Sequence, residues 1–122
     1  MLSKFSKNIA SYVESEIALA KAARSADNRM LEFHHLENAH VIGQESTYWH
    51  VQVHAFMLLW AVRNSLPKEV FGQSFRIIGA ALMTPIGLIP NGNTGGSSVS
   101  PFKSMPVKPE HKVIISNAKA KI

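Results

Sequence analysis

The sequence predicts an all-α fold: two antiparallel helical hairpins, four helices in all, with an extended Gly/Pro-rich C-terminal tail packed on the bundle. Three observations predict it. Apolar residues recur at three- and four-residue steps through the first two thirds of the chain. The breaks between these periodic segments are short and carry cap or stop residues. After Thr84 proline and glycine become frequent, yet large apolar residues continue. Residues 1–115 read as a single helical domain that includes the ordered tail, and residues 116–122 as a frayed terminus.

The first helix spans residues 3–24, with Phe5, Ile9, Tyr12, Val13, Ile17 and Ala20 on one stripe. "SADN" breaks it, and Asp27 is the expected N-cap of a second helix over residues 28–42 that stops at Gly43. "QEST" is the next turn, with Ser46 or Thr47 as cap. The third helix, residues 48–64, is apolar nearly all round and is expected at the centre of the core. Pro67 suits the first position of the fourth helix and Glu69 its first turn; Pro85 ends it after Met83. In the tail, Ile86, Leu88, Ile89, Val99, Phe102, Met105 and Val107 are more apolar than a flexible linker carries, so it is expected to pack back on the bundle.

The two helix pairs share a helix–short turn–helix rhythm, "AKAARSADNRMLEFHHLENAHVIG" and "WAVRNSLPKEVFGQSFRIIGAAL". This resembles the tetratricopeptide pattern, without its full signature.

Composition narrows the chemistry. With no cysteine, disulfides, thiolate metal sites and cysteine nucleophiles are excluded. The net charge of +5 comes from scattered lysines and arginines, which is no nucleic-acid footprint. The longest apolar runs are too short to span a bilayer, and Glu14 and Glu16 interrupt any signal-like start, so a cytoplasmic protein is expected.

"FHHLENAHVIGQESTYWHVQVHAFMLLW" holds five of the six histidines. His50 and His54, four apart, share one helix face. Glu37 and His40 form Glu-x-x-His, a chelating step known from di-iron bundles. His35 and His40, five apart, point in different directions, so a site uses one of them. Across a short turn, His40 should approach His50, and His35 should lie nearer the level of His54. The candidate metal set is therefore His35, Glu37, His40, His50 and His54, and such N/O donors suit zinc, nickel, copper or iron. Affinity is expected to fall as pH drops through the histidine range. The competing reading is a hydrogen-bonded core network. Acid–base catalysis is a third, with no nucleophile, base and orienter in view. The loop "IPNGNTGGSSVS" reads as a tight turn in which Asn and Gly adopt positive φ, ahead of an anion-binding nest.

"HLENAHVIGQ", "HVQVHAFML" and "GNTGGSSVSPFKSMPV" together resemble the bacterial family catalogued as domain of unknown function 3703, over roughly residues 20–110. The matching positions are His35, Glu37, His40, Gln44, His50 and His54, then Gly92, Asn93, Thr94 and Gly95, then Met105 and Pro106. The resemblance implies a small helical protein whose genes sometimes accompany heavy-metal resistance, and a glycine loop and Met-Pro tail that belong to the fold. The first functional reading is metal binding through the histidine cluster, with a role in metal homeostasis or resistance. The alternative is a helical-repeat interaction module with structural histidines, meeting a protein partner or a second copy, and neither nucleic acid nor membrane.

Overall fold

A computed structural model describes residues 2–122. Its helices are α1 (Lys4–Ser25), α2 (Arg29–Gly43), α3 (Thr47–Arg63), α4 (Pro67–Met83) and α5 (Pro109–Ala120), with a 3-10 turn at Thr84–Ile86. No strand occurs among the described residues, and no described helix is long and apolar enough to cross a membrane.

The first three helices start at side-chain caps. Ser3 accepts from the Ser6 N–H, Asn28 from Leu31 and Ser46 from Trp49, each satisfying a donor the helix leaves free. Asp27, the expected second cap, instead adopts a φ of 56° in the turn, and the role passes to Asn28. α4 begins at Pro67 with Glu69 in its first turn, as its sequence predicts.

The core gathers Phe5, Ile9, Val13, Ile17 and Ala20 of α1, Leu36, Ala39 and Ile42 of α2, and Trp49, Val53, Met57 and Trp60 of α3. Tyr12 lies at the rim of the α1 stripe and is exposed. The buried indoles find backbone partners: Trp49 donates to Ser6 O at 3.0 Å and Trp60 to Arg29 O at 3.0 Å. At the end of α2 the backbone of Gly43 packs so close to α3 that a Cβ there would lie 2.9 Å from that of Trp49. This approach sets how α2 meets α3. α3 is less central than its composition suggests, because Leu59 and Val62 face outward.

The tail differs from expectation in two ways. It does not stay extended: residues 109–120 form α5, whose Ala118 is buried in the core. Asn8 donates to Ala118 O at 3.0 Å, and Lys119 pairs with Glu45 at 2.8 Å, so the segment expected to fray is tied to α1 and to the turn after α2. The apolar side chains expected to pin the tail divide, with Ile89, Val99, Met105 and Val107 half-buried. Ile86, Leu88 and Phe102 are exposed, while Asn93 is 2% exposed. The Asn93 amide donates to Ser100 O and Lys103 O, and its Oδ1 accepts from Gly95 N–H. Gln44 donates to Pro90 O, Gln73 to Gly95 O and Arg76 to Val99 O, so polar groups of the helices clasp the tail backbone.

Candidate metal centre

His40 lies in the last turn of α2, His50 in the first turn of α3, and His54 one turn further on. The tight α2–α3 contact brings His40 against both. Its ring centroid is 4.8 Å from that of His50 and 4.6 Å from that of His54, and the α3 pair are 5.0 Å apart. All three are buried, and one nitrogen from each falls within 4.8 Å of the others. The closest approach is His40 Nε2 to His54 Nε2, 3.0 Å.

The opposite ring nitrogens fix the tautomers. His40 Nδ1 is 2.7 Å from Asn93 O, a carbonyl that can only accept, so Nδ1 carries the proton. His54 Nδ1 is 2.6 Å from Gln73 Oε1. The Gln73 amide nitrogen donates to Glu69 Oε2 and Gly95 O, which orients the amide so that Oε1 accepts, and His54 also carries its proton on Nδ1. His50 Nδ1 is 2.7 Å from Thr84 Oγ1, a hydroxyl able to accept the same kind of bond. In neutral rings the Nε2 lone pairs of His40 and His54 therefore face each other.

A proton shared between them is opposed by the surroundings. Burial, then the charges of His54 and His50, push His40 well below the ordinary imidazole range. Burial lowers His50 to about 3, with His54 adding to it. Burial lowers His54 to about 4, against a bond from Gln73 that favours the charged ring and with Arg76 opposing it. Competition by protons for the ring nitrogens of the folded protein thus begins further below pH 6.5 than the sequence suggests. Stability carries the pH dependence instead. The unfolded chain binds protons near pH 6.5 and the folded chain does not, so this contribution is complete above that pH and is lost as pH falls toward 4. Each histidine contributes a slope of up to about 1.4 kcal/mol per pH unit. Urea midpoints of the metal-free protein should therefore fall steeply between about pH 6.5 and 4.5. A flat profile there would contradict the burial of neutral rings.

The sequence candidates divide. His40, His50 and His54 come together; His35 and Glu37 do not join them. His35 Nδ1 bonds Glu16 Oε1 at 2.9 Å on the α1 side of α2, because five residues turn it away from His40. The Glu37 carboxyl, half-buried beside Thr94, is raised by burial against the hydrogen bond from Thr94. A single His40 faces both α3 histidines. Gln73, Thr84 and Arg76, which stand around the three histidines, were not singled out in the sequence, and Asn93 was named there only within the glycine loop and the family resemblance. Gly92 and Gly95 have φ of 79° and 90°, which the turn reading expected, whereas Asn93 stays out of the left-handed region. Gly95 is also required by space, since a Cβ there would approach the His40 ring to 2.7 Å. The loop's Ser97 N–H is met from inside the chain by the Glu69 carboxylate, at 3.0 Å.

A pocket of about 80 Å³ opens onto the three imidazoles. Its walls are largely apolar, from Phe75, Ala80 and Met83 on α4 and Leu88, Ile89 and Phe102 of the tail, and Arg76 lies among them.

The family described as "Protein of unknown function (DUF3703)" matches residues 7–115. No curated protein and no solved structure matches the chain.

Proposed function

This chain belongs to the DUF3703 family, and we propose that it binds one transition-metal ion through His40, His50 and His54. The observation that carries this reading is the 3.0 Å approach of the His40 and His54 Nε2 atoms while both Nδ1 protons are committed elsewhere. Two lone pairs at that distance need a cation between them. A hydrogen-bonded network would need an imidazolium, which burial opposes, whereas a metal ion requires the neutral ring. Zinc–nitrogen bonds of about 2.0–2.1 Å in a tetrahedral shell put ligand nitrogens about 3.3 Å apart, close to the 3.0 Å between His40 and His54, with the His50 nitrogen within 4.8 Å of both. Asn93 O, Gln73 Oε1 and Thr84 Oγ1 would orient the ligands from behind, as outer partners of metal-bound histidines do. Three imidazoles suit zinc, nickel, copper or iron, and leave a further position toward the pocket.

A cytoplasmic role in metal homeostasis or resistance fits such a site. The test is elemental analysis of protein purified without a polyhistidine tag from cells supplied with all four metals. About one equivalent of a single metal per chain is expected, and far less in His54→Ala. No metal above background in the wild type would overturn the reading.

A second reading has its own observation. Phe71, Phe75, Ile78 and Leu82 are all exposed on α4, and their alternating steps of four and three residues make a heptad-like seam. Such a seam is self-complementary, so the occupant it fits is α4 of a second copy. Together with the helix–turn–helix rhythm and the close backbone packing at Gly43, it supports a tetratricopeptide-like pair of hairpins acting as an interaction module. Sedimentation should show a dimer that Phe71→Lys separates. A strict monomer at high concentration would count against it.

A further inference from the structure

Arg76 is 8% exposed, yet no carboxylate pairs with it among the described residues. Its two terminal nitrogens donate to backbone carbonyls, Gly72 O at 3.2 Å and Val99 O at 2.6 Å, and its Nε has no protein partner. Glu69, the acid nearest in its electrostatic surroundings, is already engaged by Ser97 N–H and Gln73. A buried guanidinium whose direct partners are only neutral oxygens is costly, and the Glu69 charge that favours it is not in ion-pair contact with it. Arg76 is among the residues that line the pocket above the three histidines, and its charge acts on His40 and His54.

Apart from Asn93 the rest of that pocket is apolar, with Phe75, Leu88 and Phe102 its exposed members. The pocket's size limits the occupant. At about 80 Å³ it is smaller than the roughly 150 Å³ cavity that holds benzene. A compact, multiply charged oxyanion would leave the apolar wall unused. One negative head on a short hydrocarbon chain matches both features.

We propose that this pocket binds a short-chain monocarboxylate, its head against Arg76 and its chain along Phe75, Leu88 and Phe102. The proposal deepens the metal reading and rests on it for one contact, a carboxylate oxygen at the ion's remaining position. The Arg76 contact does not need the ion.

Butyrate is a suitable probe and butyramide its neutral counterpart. Melting curves of zinc-loaded and zinc-free protein are recorded with each, at ionic strength matched by sodium chloride. Butyrate should raise the melting temperature, more in the zinc-loaded protein than in the zinc-free, and the rise should grow with concentration. Butyramide should leave it unchanged. Arg76→Gln should weaken the butyrate response at least tenfold in concentration. No butyrate response in either state, an equal response to butyramide, or an undiminished response in Arg76→Gln would overturn the proposal. If Arg76→Gln does not fold, the wild-type comparison of the two probes decides. Zinc binding measured separately by calorimetry keeps the two readings distinct. Zinc bound without a butyrate response removes only the carboxylate, and an Arg76-dependent butyrate response in a protein that binds no zinc removes only the metal.

Discussion

Zinc added to the metal-free protein should raise its melting temperature by roughly 10 °C at about a hundred times the dissociation constant. That excess corresponds to about 2.7 kcal/mol of stabilisation if only the folded state binds. His40→Ala, His50→Ala and His54→Ala should each remove most of the gain. The comparison must be the rise caused by zinc within each variant, because losing a buried ring also lowers the starting stability. His54→Ala, for example, strips Gln73 Oε1 of its donor. His35→Ala and His111→Ala should keep the full rise, since neither ring belongs to the converging group. A gain lost in His35→Ala but kept in His54→Ala would place the ion elsewhere.

Ending the chain at Thr84 should destabilise it more than any single substitution. The cut removes Asn93 O from His40, Pro90 O from Gln44, Gly95 O from Gln73 and Val99 O from Arg76. A polar group left buried without a partner costs about 1–3 kcal/mol, and total stability is only about 5–15 kcal/mol. The cut also strips Ala118 from the core beside α1. The truncated chain should show no cooperative melt near the wild-type temperature and should lose the zinc response. An unchanged melting temperature would show that the tail is only a linker.

Much of this fold was legible because helix signals are local. The α1 stripe, the Ser46 cap and the start at Pro67 each depend on residues within a few positions. The pairing of His50 with His54 followed from helical period alone. Choosing His40 over His35 did not, because it depends on how α2 crosses α3, and that is set where Gly43 meets Trp49. The groups behind the imidazoles were less legible still. Asn93 reaches His40 across 53 positions of sequence, and Gln73 and Arg76 read as ordinary polar residues of an amphipathic helix. α5 was hidden by its brevity and by the prolines before it, although His111, Ile114, Ile115 and Ala118 already sit at helical steps. The exposed Phe71, Phe75, Ile78 and Leu82 show the converse limit: a periodic apolar stripe reveals a face, not whether that face is inside.

The claim that the three Nε2 atoms hold the ion is tested most directly by long-range ¹H–¹⁵N spectra of the imidazoles, recorded before and after zinc. Before zinc, His40 and His54 should appear as neutral rings protonated on Nδ1. At one equivalent of zinc, the Nε2 signals of His40, His50 and His54 should move together into the metal-bound range. Those of His34, His35 and His111 should stay in place. Unmoved Nε2 signals for the three at saturating zinc, or an imidazolium at His40 or His54 near neutral pH, would contradict the account.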